Sequence, residues 1–222
     1  MEDIMIKVEN LSKQFGKTEV LHQVNVSFAK GQIHGLIGRN GSGKTMLLKC
    51  ICGFVPATSG TITVQGKVVG KDIDIPKNIG IIIETPGFLP GYSAYKNLKF
   101  LADISGKADK QAVKDAIKKV GLDPELKRHV GKYSLGMRQR LGLAQAIMED
   151  PDILLLDEPM NGLDNEGVEE MRKFLLELKE QGKTIIIASH SKEDIEVLCD
   201  TVSEMDKGRL ERSNRKRKRF FP

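Results

Sequence analysis

Residues 33–37, an apolar run of strand character, lead into Gly38-Arg39-Asn40-Gly41-Ser42-Gly43-Lys44-Thr45, and an apolar run of helical character follows at 46–52. The pattern G-x-x-x-x-G-K-[ST] between a strand and a helix constrains this chain more tightly than anything else in it. Glycines at 38, 41 and 43 let the backbone turn its N–H groups inward around an anion, and the start of the helix adds the positive end of its dipole. Lys44 then reaches the β- and γ-phosphates, and the Thr45 hydroxyl ligates Mg2+. The loop from Gly38 through Asn40, Gly41, Ser42 and Gly43 to Lys44 and Thr45 is therefore expected to bind a nucleoside triphosphate with its metal.

A second motif supplies carboxylates. Ile153-Leu-Leu-Leu-Asp157-Glu158 reads as a buried strand ending in two acids. Asp157 at the strand tip is placed to hold the Mg2+ shell. Glu158, one residue on, faces the γ-phosphate and is expected to orient or deprotonate the attacking water.

Around these motifs, strand-like runs at 4–8, 20–28, 33–37, 61–64, 79–83, 153–156 and 184–188 alternate with helical stretches, which gives an α/β chain. The last three runs are nearly all apolar, as parallel strands covered on both faces are. Turn cues at Gly16-Lys17 and Lys30-Gly31 point to a small antiparallel sheet beside that core. Between about 93 and 149 the strand signal vanishes, and Met137, Leu141, Ala144 and Met148 recur at helical spacing, which suggests an inserted helical lobe.

With 222 residues the chain suits one domain, and 40% apolar, 29% charged and 22 glycines exclude collagen-like, low-complexity and disulfide-rich classes. No apolar run approaches the roughly 20 residues of a spanning helix, and Glu2 and Asp3 stand where a signal peptide carries lysines, so neither a membrane span nor secretion is expected. The formal charge of +5 is concentrated at one end: without the six basic side chains between 212 and 219 the remainder carries −1. Nucleic acid is therefore not an expected partner. Cys50, Cys52 and Cys199 lack a second pair for a zinc cluster and read as buried thiols.

Other residues go beyond a generic phosphate loop. Tyr133-Ser134-Leu135-Gly136-Met137-Arg138-Gln139-Arg140 resembles the signature of the ATP-binding cassette (ABC) family, usually Leu-Ser-Gly-Gly-Gln followed by a basic helix. Asn161-Gly-Leu163-Asp164 looks like that family's D-loop, and His190 like its switch histidine. The match runs over residues 4–210. It implies a RecA-like nucleotide-binding core, an antiparallel β lobe and an α-helical lobe at about 85–150, all in one domain at 1–210, with a basic, disordered tail at 211–222.

The resemblance also implies that two copies close head to tail on ATP. Ser134, Gly136 and Asp164 of one copy then face the nucleotide of the other. Tyr133, Leu135 and Met137 depart from the usual Leu, Gly and Gln. Phe15 falls where the family stacks an aromatic ring, usually Tyr, on adenine. Glu84 aligns with the glutamine of the Q-loop, so a carboxylate replaces an amide near the metal, alongside Thr45 and Asp157.

The Ile-Glu-x-Pro-Gly-Phe and Tyr-Ser-Leu-Gly-Met forms resemble ATPases of bacterial exporters of peptide antibiotics, of the bacitracin-resistance and lantibiotic-immunity kind. They imply an ATPase on the cytoplasmic face of the plasma membrane, with Glu158 and His190 catalytic, driving separate permease chains. A cassette ATPase working on ribosomes or DNA is the alternative. The segment 215–219 could bear on anionic lipid or be a plain solvated end.

Overall fold

The computed structural model describes residues 3–84 and 86–213. Two sheets organise them. The first is antiparallel, in the order β2 (Thr18–Ala29), β1 (Ile4–Phe15), β4 (Ser59–Val64) and β5 (Lys67–Val68). The second has β3 (Ile33–Ile37) near its middle and runs β10 (Arg209–Ser213), β9 (Thr201–Asp206), β3, β8 (Thr184–Ser189), β7 (Ile153–Asp157), β6 (Ile79–Ile82). Its strands β9, β3, β8, β7 and β6 are parallel, and β10 closes the edge antiparallel to β9.

Every residue of β7 and β8 is buried, which is why both read as unbroken apolar runs rather than alternating ones. The period of two still sorts their side chains: Leu154 and Leu156 enter one core, Ile153 and Leu155 the other. The first core lies under α2 (Ala94–Ser105), α3 (Lys110–Lys119), α4 (Leu135–Ile147) and α5 (Asn165–Glu180), through Leu98, Ile117, Leu141 and Leu175. The second joins the antiparallel sheet and α1 (Lys44–Ile51) to the opposite face, through Phe28, Leu36, Leu47 and Ile51.

Helix starts are marked by side chains that accept the otherwise unpaired first N–H groups. Ser93 begins α2, Asp109 begins α3, Ser134 begins α4, Asp164 begins α5 and Ser191 begins α6 (Lys192–Leu198). The parallel core, the antiparallel sheet and the helical lobe were all expected. The family's RecA-like α/β architecture is the one observed.

Three details differ from the sequence reading. The strand expected at 4–8 continues to Phe15, with register shifts against β2. The hairpin of β9 and β10 was not foreseen, because β9, next to the edge strand, buries only Ser203 and Met205 of its six residues and offers no apolar run. The domain boundary expected at 210 falls inside β10, so the folded part reaches at least Ser213. The remainder of the basic tail, 214–222, lies outside the described residues.

The helical lobe rides on the edge strand β6 at Gly80, where an added Cβ would fall on the Ala146 carbonyl oxygen and press on Leu154. Backbone cannot retreat as a flexible side chain can. Gly80→Ala is expected to cost about 1–3 kcal/mol, the range for an overpacked core, read as a lower urea midpoint at unchanged slope.

Candidate functional site

Loop 38–43 leaves β3 and enters α1 at Gly43, whose φ of 110° is open to glycine alone without strain. No side chain caps α1, so its start faces the loop's interior with the dipole's positive end. Gly38 is required for a different reason: a Cβ there would meet the Met205 carbonyl oxygen of β9 and the Ser42 hydroxyl. The unforeseen hairpin is thus a wall of the loop, and Gly208 N–H donates to Ser42 O at 2.8 Å.

Lys44 is buried, and its ammonium donates to the carbonyls of Gly38 (2.6 Å) and Arg39 (3.2 Å). It also lies 3.9 Å from Glu158 Oε1. Thr45 Oγ1 donates to Asp157 Oδ2 at 2.6 Å, joining the start of α1 to the end of β7. Burial holds the Asp157 carboxyl above the usual range. The Thr45 hydrogen bond opposes that shift, while the neighbouring Glu158 charge adds to it.

Glu158 follows β7 with φ 49°, a left-handed turn that breaks the strand direction, and its N–H donates to Ala188 O at 2.8 Å. Its Oε2 accepts from Ser189 Oγ at 3.3 Å and lies 2.9 Å from His190 Nδ1. Its Oε1 is buried with no hydrogen-bond partner, as is Ser42 Oγ. Orphaned buried polar atoms at the phosphate loop fit a polar ligand that completes the site.

The metal can be tested on the same atoms. Thr45 and Asp157 offer two hard oxygens, and no group of three or more His, Cys, Asp or Glu side chains among the described residues could hold an ion. That donor set suits Mg2+, which takes one or two protein oxygens and completes its shell with phosphate and water.

Glu84 follows β6 by two residues. It stands at φ 59°, largely exposed, with Oε1 2.6 Å from Lys49 Nζ. Lys49, one turn along α1 from Thr45, supplies a cation for this carboxylate, a partner the sequence did not reveal. Its field still contributes to the raised Asp157 pKa, so the group lies within electrostatic reach of the strand tip.

Phe15 ends β1 with a half-exposed ring, and Lys13 Nζ stands 4.6 Å from its centroid, so it is not a core aromatic. Ser134, Gly136 and Asp164 form a second group. Ser134 Oγ accepts from Met137 N (3.2 Å) and Asp164 Oδ1 from Gly167 N (2.9 Å). A Cβ on Gly136 would come within 2.8 Å of Gly162 O, so the start of α4 packs directly on the 161–164 turn. Gln139, which sequence reasoning missed, links the two groups by donating to Glu158 O at 3.2 Å.

The ABC transporter family model matches residues 21–161. The chain is 51% identical over 211 residues to an uncharacterized ABC transporter ATP-binding protein of Bacillus subtilis, YybJ, covering 95% of this chain and 97% of that one. It is 43% identical over 210 residues to a bacitracin transport ATP-binding protein, BcrA, of Enterococcus faecalis, covering 94% and 68%. Among solved structures, cbiO1 of Clostridium perfringens, part of the transporter complex cbiONQ, superposes with a TM-score of 0.81 at 31% identity, over 95% of this chain and 88% of that one.

Cys50 and Cys52, at the end of the phosphate-loop helix, are the buried thiols expected. Burial pushes them up to about 11 and about 12. At pH 8 both are thiols almost entirely, and with Cys50 and Cys52 buried an aromatic disulfide reagent cannot reach either sulfur. Both should stay unmodified at pH 8 in the native protein and react at once in denaturant, as mass spectrometry of the labelled peptides will read.

Proposed function

Because the chain belongs to the ABC transporter family as an ATP-binding, ATP-hydrolysing subunit, we propose that two copies close head to tail on ATP and drive separate permease chains that export a peptide antibiotic. The observation that carries the catalytic part is the state of Glu158. One carboxylate oxygen is held by His190 and Ser189, while the other is buried and accepts no hydrogen bond, 3.9 Å from the Lys44 ammonium. A base fixed on one side and free on the other is ready to take the proton of a water.

Lys44 leaves two backbone carbonyls to reach the β- and γ-phosphates, and the loop from Gly38 through Asn40, Gly41 and Ser42 to Gly43 wraps them with N–H groups. Thr45 and Asp157 are the groups that would hold Mg2+, with Glu84 joining them in this reading from within electrostatic reach of Asp157; the ion would spread positive charge across the phosphates. Phe15, exposed and already beneath a cation, offers its face to adenine. Ser134, Gly136 and Asp164 serve the partner's nucleotide, where the N-terminus of α4 adds a dipole to the Ser134 hydroxyl.

The permease side of the proposal rests on a groove of about 470 Å³ between β6 and α4, bordered by Phe54, Pro86 and Leu101. Phe54, Leu101 and nearby Ile104 expose apolar surface there. No helix among the described residues is long and apolar enough to cross a membrane, and the membrane path is assigned to the separate permease chains. In this reading the subunit works at the cytoplasmic face of the plasma membrane, against those permease chains. The peptide-antibiotic substrate follows from the relative named for bacitracin transport.

Glu158→Gln is expected to bind ATP nearly as the parent does while hydrolysing it about 100-fold more slowly, within the range for a positioned base. Lys44→Ala should instead lose binding. A nucleotide-binding titration beside a phosphate-release assay separates the two, and undiminished hydrolysis by Glu158→Gln removes that residue from the base role.

Sedimentation tests assembly. The parent is expected to be mainly monomeric without nucleotide, and Glu158→Gln to dimerise with ATP. Adding Ser134→Arg puts bulk and charge where the partner's phosphate must dock and should abolish the dimer. Persistence of that dimer defeats the head-to-tail arrangement.

A further inference from the structure

Arg172 is buried on α5 and holds more carboxylates than its own charge requires. Its Nε and Nη2 donate to Asp194 Oδ1 at 3.1 and 2.6 Å, Nη1 to Glu169 at 2.6 Å, and Nη2 to Glu193 at 3.2 Å. Asp194 is itself buried. Nothing in the phosphate-loop chemistry uses this cluster, and a buried ion pair is seldom a gain in stability over apolar side chains of the same size.

The connections of Asp194 give it a use. It sits in the first turn of α6, where its N–H donates to the capping Ser191 Oγ at 3.3 Å. Ser191 N–H donates to Ser189 Oγ at 3.1 Å, and Ser189 Oγ donates to Glu158 Oε2, the oxygen that His190 Nδ1 approaches at 2.9 Å. A run of hydrogen bonds therefore joins the Arg172 guanidinium to the hydrolytic carboxylate through the turn that carries His190. With seven residues, α6 is too short to hold its first turn without tertiary anchors. Arg172 provides one, from a helix whose own first turn is capped by Asp164.

We propose that Arg172 is a positioning residue: through Asp194 it fixes the 189–191 turn, and so sets His190 and Ser189 against Glu158. The inference rests on the reading of Glu158 as the base. It makes the clasp between α5 and α6 part of the hydrolytic machinery, although Arg172 itself touches no nucleotide. Misplacing a base by a fraction of an ångström costs turnover while leaving the phosphate loop, and hence binding, alone.

The test uses the full chain with four substitutions: Arg172→Met, Arg172→Lys, Asp194→Asn and Glu158→Gln. Thermal melts, binding of a fluorescent ATP analogue, and kcat and KM for ATP are measured for each. Arg172→Met and Asp194→Asn are expected to lose about tenfold or more in kcat, with KM and nucleotide affinity within about threefold. Arg172→Lys, which keeps a donor for Asp194, should recover part of the lost kcat. If Arg172→Met fails to fold, Asp194→Asn decides, because it preserves shape. Wild-type kcat in folded Asp194→Asn, or kcat and binding falling together with the folded fraction, overturns the proposal. Those results beside an inactive Glu158→Gln overturn the positioning role alone. Wild-type kcat in Glu158→Gln overturns the reading of the base, and the positioning role with it.

Discussion

Three ionisable side chains, Lys44, Asp157 and Glu158, are sunk together where α1 begins and β7 ends, and the rest of the structure follows from having to hold them there. Burying charge is costly unless each group is partnered. Here the partners are incomplete by one ligand: Lys44 rests on two carbonyls, Asp157 on a hydroxyl, and Glu158 has one oxygen that accepts no hydrogen bond, with only the Lys44 ammonium 3.9 Å away. Only a scaffold that is stiff without the nucleotide can maintain such an arrangement. The buried strands β7 and β8 and the two cores on either side of them supply that stiffness.

The local backbone is bent to the same end. Glu158 and Glu84 both lie just beyond the ends of strands, and both have positive φ, at 49° and 59°. A left-handed conformation at a residue with a Cβ costs on the order of 1–2 kcal/mol. Its effect is to turn the side chain out of the strand's alternation, toward Lys44 in one case and Lys49 in the other. Both carboxylates are thereby aimed by backbone geometry and held by a cation on α1, so the phosphate-loop helix organises both strand ends.

Much of this was legible in the residues. Glycine spacing exposed the phosphate loop, because few other sequences let a backbone close around an anion. The apolar runs at 153–156 and 184–188 exposed the central strands, because burial on both faces removes every polar alternative. What escaped was whatever depends on pairing across the chain. The hairpin of β9 and β10 has no continuous apolar run, yet Met205 O and Gly208 N–H make it a wall of the loop. Lys49 and Arg172 carry no motif, and Gln139 stands in the signature stretch without a role read from it; each matters through a carboxylate or carbonyl far off in sequence.

The departures at the signature acquire a physical meaning from the same kind of contact. Leu135 stands where the family usually has glycine, and its half-exposed side chain lies over Gly162, where any Cβ would overlap it. Gly136 approaches Gly162 O from the adjacent position, and Leu163 packs beside it. The start of α4 and the turn leading to Asp164 are therefore one packed unit instead of two loops meeting through solvent. Since α5 begins just after Asp164 and carries Arg172 about two turns later, one helix links the turn packed against α4 to the clasp on α6. A side chain in place of a glycine thus adds packing contact between the start of α4 and the turn from which α5, and with it Arg172, sets out.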